Sequence, residues 1–221
     1  MTKNTGRVPA KRSGQVARNL MSKTTKYSKV AEAKVLAHIK PKWDDRGGFV
    51  REVTDRNEQH YGDLYGSPYA GSAPIYVEVK TTAHVANTGA IAIEEVQNEY
   101  KSKRDGVPDG WLHTGRYNLM VWYLPNNDYD LMLDWKQFKE WYKDNKNNYM
   151  LRTRNRTGTS SHYRNVKIED ILAGCKGAKK IMIDDREEDA ETWAEWLGDN
   201  YYHRTHISPA TVDFDYVEAS I

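Results

Sequence analysis
The apolar positions of this chain follow two periods. Between residues 28 and 39 they recur at helical spacing: Val30, Ala31, Val35, Leu36 and Ile39 fall on one face, Ser28 can cap the segment and Pro41 stops it. Glu32 lies in the first turn of that predicted helix. After Gly47-Gly48 the period shortens. Residues 49–54 read as a strand, a polar turn follows, and Asp63-Leu64-Tyr65 begins a second strand. Residues 66–74 have the composition of a loop, and residues 75–81, β-branched and aromatic, read as a third and buried strand.

Further along, residues 90–93 read as a short strand or a helix lead-in, and residues 94–103 as a helix. Residues 117–124 form a strand ended by Pro125-Asn126-Asn127, and 129–133 a shorter one. Trp135, Phe138 and the Trp141-Tyr142 pair mark a helix over 135–143. Residues 152–161 read as a basic, hydroxyl-rich loop, 166–173 as a short amphipathic element, and 187–197 as an acidic helix carrying Trp193 and Trp196. The order of helices and strands predicts an α/β protein: a mixed central sheet with helices on its faces.

Composition narrows the class. The chain has 221 residues, a mean hydropathy of −0.86 and 29% charged residues, yet seven Trp and fifteen Tyr supply large apolar surfaces. A globular domain with elaborations is expected. No apolar run approaches the ~20 residues that span a bilayer, so no membrane partner is expected, and the basic N-terminus lacks the apolar segment of a secretory signal. The single Cys175 excludes an intrachain disulfide framework and a Cys-rich zinc site. Cytoplasmic residence is the default expectation. No Gly-rich phosphate loop followed by Lys and Ser or Thr exists, which leaves nucleotide hydrolysis without support.

The net charge of +2 hides an asymmetry. No acid precedes Glu32, whereas Lys3, Arg7, Lys11, Arg12, Arg18, Lys23, Lys26 and Lys29 are all basic. Asp184, Asp185, Glu187, Glu188, Asp189 and Glu191 gather near the other end. The organisation expected is a basic flexible arm at 1–25, a core at 26–145 and a C-terminal elaboration at 146–221 that carries the acidic helix. Lys11, Arg12 and Arg18 in the arm and Arg152, Arg154 and Arg156 in the basic segment are the candidates for phosphate-backbone contacts with DNA. His203 and His206 read as a surface pair rather than a metal site.

The candidate chemistry centres on Tyr76-Val77-Glu78-Val79-Lys80-Thr81-Thr82. Alternate strand residues share a face, so Glu78 and Lys80 stand side by side while Val77 and Val79 fill the other side. Asp63 lies on the neighbouring strand and Glu32 on a helix. Carboxylates are hard oxygen donors suited to Mg²⁺, with Mn²⁺ able to substitute. Asp63, Glu78 and the main-chain carbonyl of Val79 could hold one ion, and Glu32 a second. Lys80 could then orient the attacking water and stabilise charge on a phosphoryl group.

Over roughly residues 28–125 this constellation resembles the PD-(D/E)xK nuclease superfamily, which includes restriction enzymes and junction resolvases. On that resemblance Glu32 matches the helical acid, Asp63 the acid of the second strand, and Glu78 and Lys80 the E-x-K pair. Gln97, in Ile91-Ala92-Ile93-Glu94-Glu95-Val96-Gln97, matches a Gln that many members carry after the third strand. Gly62 stands where the name-giving Pro would be, which leaves Asp55 and Glu58 as alternatives to Asp63. The resemblance implies a restriction-endonuclease-like fold and a Mg²⁺-dependent DNA endonuclease, either structure-selective in the manner of junction resolvases or restriction-like. The rival classes are an inactive nuclease fold that only binds DNA and an assembly protein. A homodimer is the expected assembly, because two-fold symmetry brings two sites to two antiparallel strands and the aromatics beyond residue 110 could furnish its interface.

Overall fold
The computed structural model describes residues 11–183 apart from positions 56, 83, 84, 126, 157 and 158. The acidic cluster, the helix expected at 187–197 and His203 and His206 lie outside the described residues. The chain enters as one long helix, α1 (Lys11–Asp44), and then forms β1 (Phe49–Glu52), β2 (Leu64–Ser67) and β3 (Ile75–Thr81). The helical turn α2 (Val85–Thr88) leads to β4 (Ala90–Val96), α3 (Glu99–Asp105) and α4 (Trp111–Thr114). Then come β5 (Leu119–Tyr123), β6 (Asp130–Asp134), α5 (Trp135–Asn145), β7 (Leu151–Arg156), β8 (Thr159–Lys167), α6 (Ile168–Gly174) and β9 (Ala178–Ile181).

The strands form two sheets. Six of them lie in the order β1-β2-β3-β5-β6-β9, and three in the order β4-β8-β7. Within the larger sheet β3 and β5 are parallel while the other neighbours are antiparallel, so it is mixed. A parallel pair needs a crossover, and the segment from α2 to α4 provides it. Helix α1 covers one face: Ala31, Val35 and Ile39 pack on Val50, Leu64, Val77, Val79, Val121 and Tyr123. On the other face Met120, Trp122, Leu131 and Leu133 meet Ile91, Ile93 and Val166 of the smaller sheet together with Trp135, Phe138 and Tyr142 of α5. The mixed sheet with helices on its faces is the architecture that the sequence pattern predicts; the second sheet is an addition to it. Among the described residues no helix is long and apolar enough to cross a membrane.

Four local expectations differ from the structure. Helix α1 starts at Lys11, well before Ser28, because Ala17, Arg18, Leu20, Met21, Lys23 and Lys26 are good helix formers with no proline among them. It also runs past Pro41, which sits in the last turn, where few further bonds depend on it, and still accepts Asp45 N–H at 2.9 Å. Glu32 therefore lies mid-helix rather than in a first turn. Residues 94–96 continue β4 instead of opening a helix: Ile91 and Ile93 are buried around an exposed Ala92, a period of two, and β8 pairs with them. The helix waits for Asn98, whose side chain caps Lys101 N–H at 2.9 Å. Residues 152–161 form most of a hairpin, β7–β8, rather than a loop. Strand β9, short and carrying two lysines, has no clear signal in the sequence.

Candidate active site
Asp63 occupies the position just before β2, and its main chain is tied on both sides. Its N–H donates to Val77 O at 2.9 Å and its carbonyl accepts Val53 N–H at 2.8 Å. The β2–β3 ladder ends at Leu64 and Val77. The next main-chain donor on that edge of β3 is Val79 N–H, and Asp63 Oδ2 accepts it at 2.8 Å. An acidic side chain thus replaces a strand at the point where β2 and β3 part. Gly62 makes this approach feasible, because a Cβ there would stand 2.8 Å from Val77 O, and its φ of +154° disfavours other residues. Glycine at this position thus has a steric reason of its own.

Glu78 and Lys80 share the face of β3 opposite to Val77 and Val79, and Lys80 Nζ contacts Glu78 Oε1 directly. The Glu78 side chain is 14% exposed and that of Lys80 31%, so the pair sits in a partly sheltered recess. N–H and C=O of one strand residue leave the same edge. The Val79 carbonyl is therefore directed to the edge that Asp63 caps.

Glu32 faces the sheet from α1 and is buried. Lys29, one turn earlier, contacts its carboxylate and also bridges to Glu52 Oε1 at 2.9 Å. Burial pushes all three carboxyls, Glu32, Asp63 and Glu78, above the usual range. Mutual repulsion adds to this: Asp63 raises Glu32, and both raise Glu78. The opposing influences are Lys29 on Glu32, Val79 N–H and Lys80 on Asp63, and Lys80 on Glu78. The three acids and Lys80 form one electrostatic unit.

The donor set fits a hard divalent cation. Crowded, half-buried carboxylates that repel each other gain most from a positive charge between them. No three His, Cys, Asp or Glu side chains converge as an ion-binding group among the described residues. Asp63 and Glu78, with the Val79 carbonyl, are the residues that could hold one ion, and Glu32 lies within electrostatic reach of both acids.

The other sequence-derived candidates are distributed differently. Gln97 follows β4 in the smaller sheet, its side chain exposed and its main-chain N–H on Asp109 Oδ1 at 2.9 Å; no hydrogen bond joins it to Asp63, Glu78 or Lys80. Lys11, Arg12 and Arg18 lie on the first turns of α1. Arg152, Arg154 and Arg156 lie on β7, the edge strand of the smaller sheet, with Arg154 over the Tyr163 ring at 5.5 Å. The alternatives to Asp63 point elsewhere: Asp55 Oδ1 caps the turn at Asn57 N–H at 2.8 Å, and Glu58 pairs with Arg51 at 3.3 Å.

Two participants have no motif in the sequence. Lys29 is the counter-ion of Glu32, and its one clue is the i, i+3 spacing on a helix. Tyr117 is buried with its hydroxyl unpaired among the described residues, and burial, then the charges of Glu78 and Asp63, push its phenol far above the usual range.

Neither protein-family models nor curated proteins match this chain. Among solved structures, that of a nuclease from a fusselovirus is similar at 14% identity and a TM-score of 0.28, covering 74% of this chain and 87% of that one.

Proposed function
We propose that the chain is a divalent-metal-dependent nuclease that hydrolyses phosphodiester bonds in DNA. One observation carries this reading: where β2 and β3 part, Asp63 accepts the N–H of Val79, the residue between the contacting pair Glu78 and Lys80, and Glu32 lies within electrostatic reach. A carboxylate cluster at such a cost in repulsion has little structural value, since well-packed apolar residues would serve the fold better. It has value as a cation site.

Asp63, Glu78 and the Val79 carbonyl would hold Mg²⁺ or Mn²⁺, which would supply positive charge at the scissile phosphate. The chain's own groups supply the rest. Val79 N–H holds Asp63 in one rotamer, so the metal ligand is preorganised before substrate arrives. The Lys80 ammonium, leaning on Glu78, would hold the attacking water and stabilise negative charge as it grows on the phosphoryl oxygens. Lys29 offsets part of the burial that pushes Glu32 above the usual carboxyl range. The basic first turns of α1 and the arginines of β7 would contribute phosphate contacts that carry affinity without sequence information.

The test is cleavage of supercoiled, linear, single-stranded and four-way-junction DNA by the purified protein with Mg²⁺, Mn²⁺ or EDTA. Metal-dependent cutting that disappears in Lys80→Ala is the expected result. Cutting by Lys80→Ala at the wild-type rate would overturn the site, and binding without any cutting would leave only a DNA-binding role. Light scattering on the same samples reads the assembly: a dimer is expected, and a mass near 25.6 kDa with full double-strand cutting would exclude it.

A further inference from the structure
Beyond the charged groups, the face of β3 that carries Glu78 and Lys80 carries something else. Tyr76 is the next residue on that face, two positions before Glu78 and hence ~7 Å away along the strand. It stands opposite Tyr65 of β2, and Tyr65 stands opposite Arg51 of β1. The rings form a continuous line. Tyr76 lies 4.8 Å from Tyr65 on one side and 5.2 Å, stacked, from Tyr61 on the other. Phe49 extends the line from Tyr65 at 6.1 Å, and His60 extends it from Tyr61 at 3.9 Å.

Two guanidinium groups cover this line. Arg51 lies 4.9 Å above the Tyr65 ring and Arg116 lies 5.8 Å from that of Tyr61. Arg116 makes no ion pair among the described residues, and Arg51 pairs with Glu58 at 3.3 Å and donates to the Glu52 carbonyl at 3.2 Å. The smaller sheet and α5 cover the β5–β6 part of this face, as the core there shows. Both ends of the aromatic line stay open: Phe49 is 44% exposed and His60 is exposed. Cross-strand packing explains the Tyr65–Tyr76 pair by itself. It does not explain an exposed Phe and His at the two ends or the arginines laid over the rings.

We propose that this surface is a platform on which unpaired nucleotides stack, delivering the adjoining phosphodiester of the same strand to Asp63, Glu78 and Lys80. Every base has a π-face, so an aromatic line with interleaved guanidinium planes holds single-stranded nucleic acid with little regard to sequence. The arginines and Lys80 match the charge of its backbone. The inference deepens the nuclease reading and rests on it for the site that receives the phosphate; it narrows the substrate to a strand with unpaired bases, such as a flap, a gap or a frayed end.

Binding is measured by fluorescence anisotropy in EDTA, so that cleavage plays no part. The probes are oligothymidylate of about 15 nucleotides, within the span that single-strand sites cover, and an abasic strand of equal length with the same phosphates. The wild-type protein should hold oligothymidylate about tenfold or more tightly than the abasic strand. Phe49→Ser, Tyr65→Leu and, on the exposed turn, His60→Ala should each weaken oligothymidylate binding several-fold and leave abasic binding unchanged, with urea midpoints confirming that each variant is folded. Equal affinity of the wild type for the two strands overturns the platform even if DNA is cut with Mn²⁺. Tyr65-dependent oligothymidylate binding by a protein that cuts no DNA with any metal supports the platform and overturns the nuclease reading. A dimer that dissociates on Phe49→Ser without loss of oligothymidylate affinity would make the face a contact between copies of this chain and overturn the platform.

Discussion

Val79 donates its main-chain N–H to Oδ2 of Asp63 at 2.8 Å, sixteen residues back along the chain. This bond gives the carboxylate a structural and a chemical role, and substitutions separate the two. Asp63→Ala leaves the half-sheltered Val79 N–H without its acceptor, and should cost about 1–3 kcal/mol of stability. Asp63→Asn keeps an acceptor oxygen and should cost less than about 1 kcal/mol. Both should lose Mn²⁺ binding and DNA cleavage, because a neutral group does not hold a hard cation. Urea unfolding reads the first effect and titration calorimetry the second. Wild-type Mn²⁺ affinity in Asp63→Asn would move the ligand role to Asp55 or Glu58.

Glu78 should show the opposite balance between stability and activity. Burial, only partly offset by Lys80, holds its carboxyl above the usual range. The unfolded chain titrates near ~4.3, so ionisation is easier unfolded than folded. The resulting penalty is absent below the unfolded value, grows as pH rises toward the folded one and is complete above it. Without metal, Glu78→Gln should therefore be more stable than the wild type at pH 8, with the gap closing below about pH 4. Cleavage should be lost. Thermal melts across that pH range in EDTA check the sign; a variant less stable than the wild type at pH 8 contradicts it.

Glu95, Tyr142 and Arg164 join β4, α5 and β8. Tyr142 Oη donates to Glu95 Oε1 at 2.7 Å, and Arg164 Nε donates to the same oxygen at 2.9 Å. Burial works against the ionised Glu95, but these two donors outweigh it and hold the carboxyl below its usual range. The contribution to stability is present above the unfolded value near ~4.3 and fades as pH falls through the lower folded value. Arg164→Met should destabilise by about 3 kcal/mol at pH 7 and by less in acid. Equal losses at pH 7 and pH 3 would mean that packing, not charge, is what Arg164 supplies.

The cations at the start of α1 should report themselves through salt. Each phosphate contact adds about 0.9 to the slope of log affinity against log salt on duplex DNA. Replacing Lys11, Arg12 and Arg18 together with Gln should lower the slope by up to about 3 and leave the urea midpoint nearly unchanged. An unaltered slope would assign the basic segment to solubility alone.

What the sequence determined by itself was local and periodic. Alternation in residues 75–81 marked β3 to the residue and placed Glu78 beside Lys80 on one face, because a strand's period of two needs no partner to state it. The apolar stripe of Val35 and Ile39 showed that α1 packs on a sheet, and Trp135, Phe138 and Tyr142 did the same for α5. Pairing was not legible. The same β-branched and basic residues at 151–167 suit a loop or a hairpin, and only β4 lying alongside decides for a strand. Residues 94–96 read as helical until β8 takes up their main-chain groups. The candidate site divides in the same way. Its acids could be named from spacing, but their positions relative to one another depend on tertiary structure: Gly62 letting the chain approach β3, Asp63 capping Val79, α1 turning Glu32 inward and Lys29 closing behind it. The aromatic line across β1, β2 and β3 depends on two strand registers and two loops. Registers are settled by which face is buried, and burial is a property of the whole fold rather than of any segment.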